Sequence, residues 1–156
     1  MIQQAVTHAR FTFTSDGDRL TGVLHLPSAP IAAAVATGPL TSVEEQATGA
    51  YALALARRGF AALAFDHRTF GESEGEPRQF ENPEGNARDI SAAVNAVRCD
   101  DRTRDLPVVA VGVCAGAGHM ARASPTNGTS LPSPASPGTT PTQPRSRHRP
   151  LSSTRP

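Results

Sequence analysis

Hydrophobic and polar positions alternate near the start of the chain. In "ARFTFTSDGDRLTGVLHLP", Phe11 and Phe13 are interleaved with Thr12 and Thr14, the two-residue period of a half-buried strand. Asp16-Gly17 supplies a tight turn. Residues 20–26 then continue as a second strand, which Pro27 ends. The alternation stops in "IAAAVAT", residues 31–37, an almost wholly apolar run that suits a strand buried on both faces.

A longer period follows. Ser42 and Glu45 have the spacing of a capping box and predict a helix that begins there, with Ala47, Ala50, Tyr51, Ala54 and Leu55 as its apolar stripe. Arg57 and Arg58 suit the negative end of that helix, and Gly59 its stop. "FAALAF" is a further buried strand ending at Asp66, and "DHRTFGESEGEPRQFE" is a polar, glycine-rich loop. Asn82-Pro83 places an N-cap and a first-turn proline ahead of a second helix. Ile90, Ala93, Val94 and Val97 share one face of it, and residues 107–113 form the next strand. Two strands followed by strand–helix–strand–helix–strand predict an α/β fold with a mostly parallel sheet and flanking helices. In such sheets the chemistry gathers at the carboxyl ends of the strands, here loops 37–42, 66–75 and 112–118.

Composition divides the chain in two. Residues 124–156 hold eight of the fourteen prolines and four arginines but no acidic residue. Such a segment cannot bury enough apolar surface to offset chain entropy, so we expect a working domain over 1–123 and a disordered Pro/Ser/Thr/Arg-rich tail over 124–156. The net charge of +1 gives no reason to expect nucleic acid or a membrane surface as partner of the whole chain. No apolar run approaches the roughly 20 residues of a membrane span. The opening segment has no basic region followed by an apolar core, as a secretory signal would. Two cysteines, Cys99 and Cys114, make no disulfide framework, and a cytoplasmic protein with free thiols is expected. No cofactor or metal is expected.

The candidate chemistry lies in "VVAVGVCAGAGHM". Gly112-Val113-Cys114-Ala115-Gly116 fits Gly-x-nucleophile-x-Gly, after an apolar strand and before a potential helix. A nucleophile raised on so tight a turn adopts strained dihedrals, and the residues two before and two after approach so closely that side chains would clash. A helix N-terminus favours the reactive thiolate, and the Ala115 N–H is placed to meet the oxygen of an attacked carbonyl. A lone cysteine after an apolar strand is more often buried and inert; the two glycines shift the balance toward a nucleophile.

With this motif in place, the body of the chain resembles an α/β-hydrolase of the group related to dienelactone hydrolases, in a subset that carries Cys where most members carry Ser. "GPLTSVEEQ" is similar to the family's loop between third strand and first helix. "FAALAFDHRTFGESEGEP" is similar to its strand-Asp-x-Arg-x-x-Gly-x-Ser segment, and "VGVCAGAG" to its nucleophile elbow. The resemblance implies the N-terminal half of the α/β-hydrolase fold, and hydrolysis of a small ester, lactone or thioester. It implies Cys114 as nucleophile and Ala115 as one oxyanion-hole amide, with Leu40 as the second, Thr41 in reserve, and Gly38 where related sequences often have His. Asp66 and Arg68 become structural residues of the loop. Cys99, His67 and His119 read as structural.

The rest of the relay is harder to find. The family's order is nucleophile, acid, histidine, yet no Asp or Glu follows Cys114, and the only later histidines are His119 and His148. His119 is on the elbow helix itself and His148 in the tail, where neither is held as a base. The resemblance stops near Arg122-Ala123, as in a truncated or frame-shifted hydrolase, and a chain without turnover is expected. Its elbow strand, flanked on both sides in the family, would then keep an open edge and invite self-association. Three other readings remain. The chain could be a complete small thiol hydrolase, or half of a split one, with acid and histidine supplied by another chain. The protein could bind a partner through its basic tail around Arg145, Arg147 and Arg149. Finally, "GVCAGAG" is similar to the NAD(P)-binding loop of short-chain dehydrogenases, but it follows the wrong strand and has no acidic residue downstream.

Overall fold

In a computed structural model, residues 4–39 and 47–123 are described. The tail expected over 124–156, and the segment holding Leu40, Thr41, Ser42 and Glu45, lie outside them. The elements run β1 (Val6–Ser15), β2 (Asp18–Pro27), β3 (Ala32–Thr37), α1 (Gly49–Ala56), β4 (Phe60–Phe65), α2 (Pro83–Cys99), β5 (Val108–Gly112) and α3 (Ala115–Ala123). They build one mixed five-stranded sheet in the order β1-β2-β4-β3-β5. β1 and β2 form an antiparallel hairpin closed at Asp16-Gly17, both with left-handed φ, which matches the twist of the strands they join. β2 pairs antiparallel with β4, while β4, β3 and β5 are mutually parallel. The carboxyl ends of β3, β4 and β5 therefore share one side of the sheet.

The two faces of the sheet are packed differently. On one, α2 and α3 cover the larger core, with Phe11, Phe13, Leu20, Leu24, Val35, Leu63, Ile90 and Val97 among its buried side chains. The Asn82 side chain caps α2 by accepting from the N–H groups of Glu84 and Gly85, and Pro83 follows as expected. Ile90, Ala93, Val94 and Val97 all face inward.

The other face carries a layer made of alanine alone, Ala34, Ala36, Ala62 and Ala64 from the sheet and Ala52 from α1, with Leu55 and Phe60 at its margin. This corrects the expected stripe of α1. Its buried apolar positions are Ala52 and Ala56, whereas Tyr51 is 48% exposed and Ala50 is exposed as well. The helix is apolar around most of its circumference, so its own pattern does not choose a face; the flat alanine surface admits only its smallest side chains. Ile31 differs too: the strand begins at Ala32 and the Ile31 side chain is 64% exposed. Only its backbone is engaged, its N–H donating to Gly59 O at 2.8 Å.

Candidate active site

The chain leaves β5 at Gly112 and enters α3 at Ala115, so the whole reversal is made in two residues, Val113 and Cys114. Cys114 has φ of 57°, a left-handed conformation that costs a non-glycine residue about 1–3 kcal/mol. Its surroundings hold it there. Val113 N–H donates to Thr37 O at 3.0 Å, Gly116 N–H to Gly38 O and Val113 O at 3.1 Å each, and Ala117 N–H to Cys114 O at 3.1 Å. The Thr37 hydroxyl donates to Gly116 O at 3.3 Å. A Cβ on Gly112 would lie 2.5 Å from Ala117 Cα, and one on Gly116 would lie 2.6 Å from Gly38 O. Neither position leaves room for a Cβ.

Cys114 is exposed. Among the described residues the neighbouring Ala115 N–H has no acceptor, while the next amide, Gly116, is already occupied. Ala115 thus presents a backbone donor at the first turn of α3, beside the sulfur. Gly38 and Pro39 are in place at the end of β3; Leu40 and Thr41, the alternatives for a second amide, lie outside the described residues.

The loop after β4 is held by its own polar groups. Asp66 is 2% exposed; its carboxylate accepts from Glu72 N–H at 3.0 Å and its carbonyl from the Ser73 hydroxyl at 2.6 Å. Arg68 reaches the other way. Its Nε and Nη2 donate to Asp89 Oδ1 at 2.9 and 2.6 Å, and its backbone N–H to Asp89 Oδ2 at 3.0 Å. Nη2 also reaches Ser15 Oγ at 2.9 Å and Asp16 Oδ2 at 3.1 Å. One guanidinium thereby joins the loop, α2 and the β1–β2 turn. Burial alone would raise the Asp89 pKa, but His67 and Arg68 against its carboxylate outweigh this and hold it at about 2.

Asp89 is the residue that sequence reasoning missed. Asn86 and Asp89 fall in phase with the apolar stripe of α2, and an acid at a core position requires a buried partner. That phase was the available signal.

The histidines stand apart from the sulfur. His67 Nδ1 lies 3.4 Å from Asp89 Oδ2 and His119 Nε2 lies 3.4 Å from Glu81 Oε1, with the two rings 6.1 Å apart. Burial pushes the His119 pKa down, and Glu81 opposes it in part. Among the described residues no hydrogen bond or ion pair joins a histidine to Cys114. His148 lies outside the described residues, as do Arg145, Arg147 and Arg149. Among the described residues no cluster of His, Cys, Asp and Glu could hold a metal ion, and no helix is long and apolar enough to cross a membrane.

Known proteins share this fold. A hydrolase family model described as "Serine aminopeptidase, S33" matches residues 44–132. The protein YcjY of Escherichia coli is 42% identical over 92 residues, 59% of this chain and 30% of its own length. The protein PA2218 of Pseudomonas aeruginosa is 38% identical over 121 residues, 74% of this chain and 32% of its own. The chain thus spans about a third of the length of these curated relatives. The crystal structure of PA2218 superposes with a TM-score of 0.71 at 33% identity, covering 79% of this chain and 40% of that one. Dienelactone hydrolase from Anabaena variabilis superposes with a TM-score of 0.69 at 17% identity, covering 79% of this chain and 59% of that one, a likeness of fold.

Proposed function

The chain belongs to the serine aminopeptidase S33 family of α/β hydrolases, and on that premise we propose that Cys114 occupies the nucleophile position of a site for small esters, lactones or thioesters. The observation that carries this reading is the left-handed Cys114 between two glycines that have no room for a side chain. In the reaction, the Cys114 thiolate attacks the substrate carbonyl carbon. A C–S bond forms, and the carbonyl oxygen takes up negative charge facing the Ala115 N–H, with Leu40 as the proposed second donor. Collapse of the tetrahedral intermediate expels the alkoxide of an ester or the thiolate of a thioester, which takes its proton from water, and leaves an acyl-cysteine.

The second half-reaction needs a base to activate water. His67 and His119 make their polar contacts to Asp89 and Glu81, and among the described residues neither is joined to Cys114. We therefore assign this chain, by itself, one acylation and no turnover.

Incubation with p-nitrophenyl acetate tests both parts. About one equivalent of nitrophenolate per chain is expected, with the acetyl group found on Cys114 by peptide mass spectrometry and lost in Cys114→Ala. Continuous release that disappears in Cys114→Ala would overturn the single-turnover assignment. Acetylation of Cys99 in preference would overturn the nucleophile assignment.

A further inference from the structure

Thr37 is the one polar residue of β3, and it is 2% exposed. Side chains alternate across a strand. Thr37 therefore falls in phase with Ala33 and Val35, on the face packed by α2 and α3, and out of phase with Ala34 and Ala36 of the alanine layer. A valine would fill such a position and leave nothing to satisfy, whereas a buried hydroxyl costs free energy unless it is bonded. The Thr37 hydroxyl makes its bond to the elbow, donating to Gly116 O at 3.3 Å.

That contact completes a set. Gly116 N–H donates to Gly38 O and Val113 O at 3.1 Å each, and Val113 N–H donates to Thr37 O at 3.0 Å. Gly116 is thus held at both of its peptide groups, at the N–H by backbone and at the carbonyl by a side chain. The fit is close, since a Cβ on Gly116 would stand 2.7 Å from both Thr37 O and Thr37 Oγ1. Ala115, whose N–H is the proposed oxyanion donor, lies between the left-handed Cys114 and this fixed Gly116. A backbone donor stabilises developing charge only where it already points. We propose that Thr37 is a positioning residue: its hydroxyl fixes the first turn of α3 against the end of β3 and so aims the Ala115 N–H at the oxyanion. The proposal rests on the ester, lactone or thioester site at Cys114 and adds to it a side chain outside the elbow motif.

Two reactions of Cys114 separate positioning from folding. Alkylation by iodoacetamide displaces iodide from a saturated carbon and develops no oxyanion, whereas acylation by p-nitrophenyl acetate does. Both rates are read at Cys114 on the full chain by peptide mass spectrometry, with far-UV circular dichroism on every variant. Thr37→Val exchanges the hydroxyl for a methyl group and should slow acylation about tenfold while alkylation changes by less than about twofold. Thr37→Ser and Thr37→Ala form a second pair that differs by the hydroxyl alone. Serine should keep the acylation rate, and alanine should lose it as valine does; if Thr37→Val is unfolded, this pair decides. Acylation unchanged without the hydroxyl, an equal fall in both reactions, or a serine variant no faster than the alanine variant would each overturn the proposal. A wild-type chain never acylated at Cys114, whatever its alkylation, would overturn the ester-site reading itself and the positioning role with it.

Discussion

At one end the sheet closes on β1, whose exposed positions carry Thr7, His8, Arg10, Thr12 and Thr14. The Thr7 hydroxyl is bonded to Leu26 O and Arg10 is paired with Glu72. At the other end it stops at β5, where valine and alanine stand on both faces. The Arg68–Asp89 pair anchors the β1 side from beneath by tying α2 to the hairpin turn. Nothing of that kind reaches β5 among the described residues; its partners are β3 and the helices that lead into and out of it. The contrast teaches that the two outermost described strands of one sheet are finished differently: one by polar side chains, the other by apolar ones on both faces.

Substitutions can break this comparison, and the largest effect belongs to the anchored side. Asp89→Ala leaves Arg68, whose side chain is 13% exposed, without its main partner, and should cost about 3–5 kcal/mol. Urea denaturation followed by circular dichroism measures it. A loss below about 1 kcal/mol would mean that the β1 side is not held by this ion pair.

A pH effect of somewhat smaller size arises on the same side. His25 faces His8 across the hairpin with Nδ1 atoms 2.8 Å apart. Burial, and then the nearby His8 charge, lowers its pKa from 6.5 to about 4. As pH falls from about 6.5 to about 4, the unfolded chain binds a proton at His25 that the folded chain refuses. Stability is therefore full above this window and declines through it, by up to about 3 kcal/mol. Midpoints of urea unfolding at intervals of pH should show the decline, and His25→Gln should flatten it.

The smallest effects sharpen the comparison most directly. Val35 and Val109 differ by a single strand position across the β3–β5 ladder, one fully buried and the other 39% exposed. Val35→Ala should cost about 2 kcal/mol, while Val109→Ala should cost under about 0.5 kcal/mol, as urea denaturation followed by circular dichroism would measure. Equal losses would show that β5 is covered after all.

These differences also mark what the sequence could convey. Local signals were enough wherever one short segment decides its own geometry. Asp16-Gly17 closed a hairpin, Asn82-Pro83 opened α2, and Gly112 and Gly116 framed a left-handed Cys114. The family resemblance pointed to Asp66 and Arg68 as loop residues, but it did not name the partner of Arg68, which stands 21 residues away on a helix. The buried face of α1 was illegible for a different reason: a helix rich in alanine takes its orientation from the surface it meets. The order β1-β2-β4-β3-β5 among the described strands could not be read from any one segment, because it is set by pairing between strands far apart in the sequence.

The alanine layer beneath α1 has one more consequence. Alanine has no side-chain rotamers to lose, so packing Ala52 against Ala34, Ala36, Ala62 and Ala64 is nearly free of side-chain entropy cost. For the same reason the layer has no means of adjustment. A larger side chain elsewhere in a core can turn to make room, but a methyl group cannot, and the only response left is to move the whole helix. The layer therefore behaves as a rigid shim that sets the height of α1 above the sheet. Enlarging one of these alanines to valine would displace α1 as a body rather than be absorbed by its neighbours.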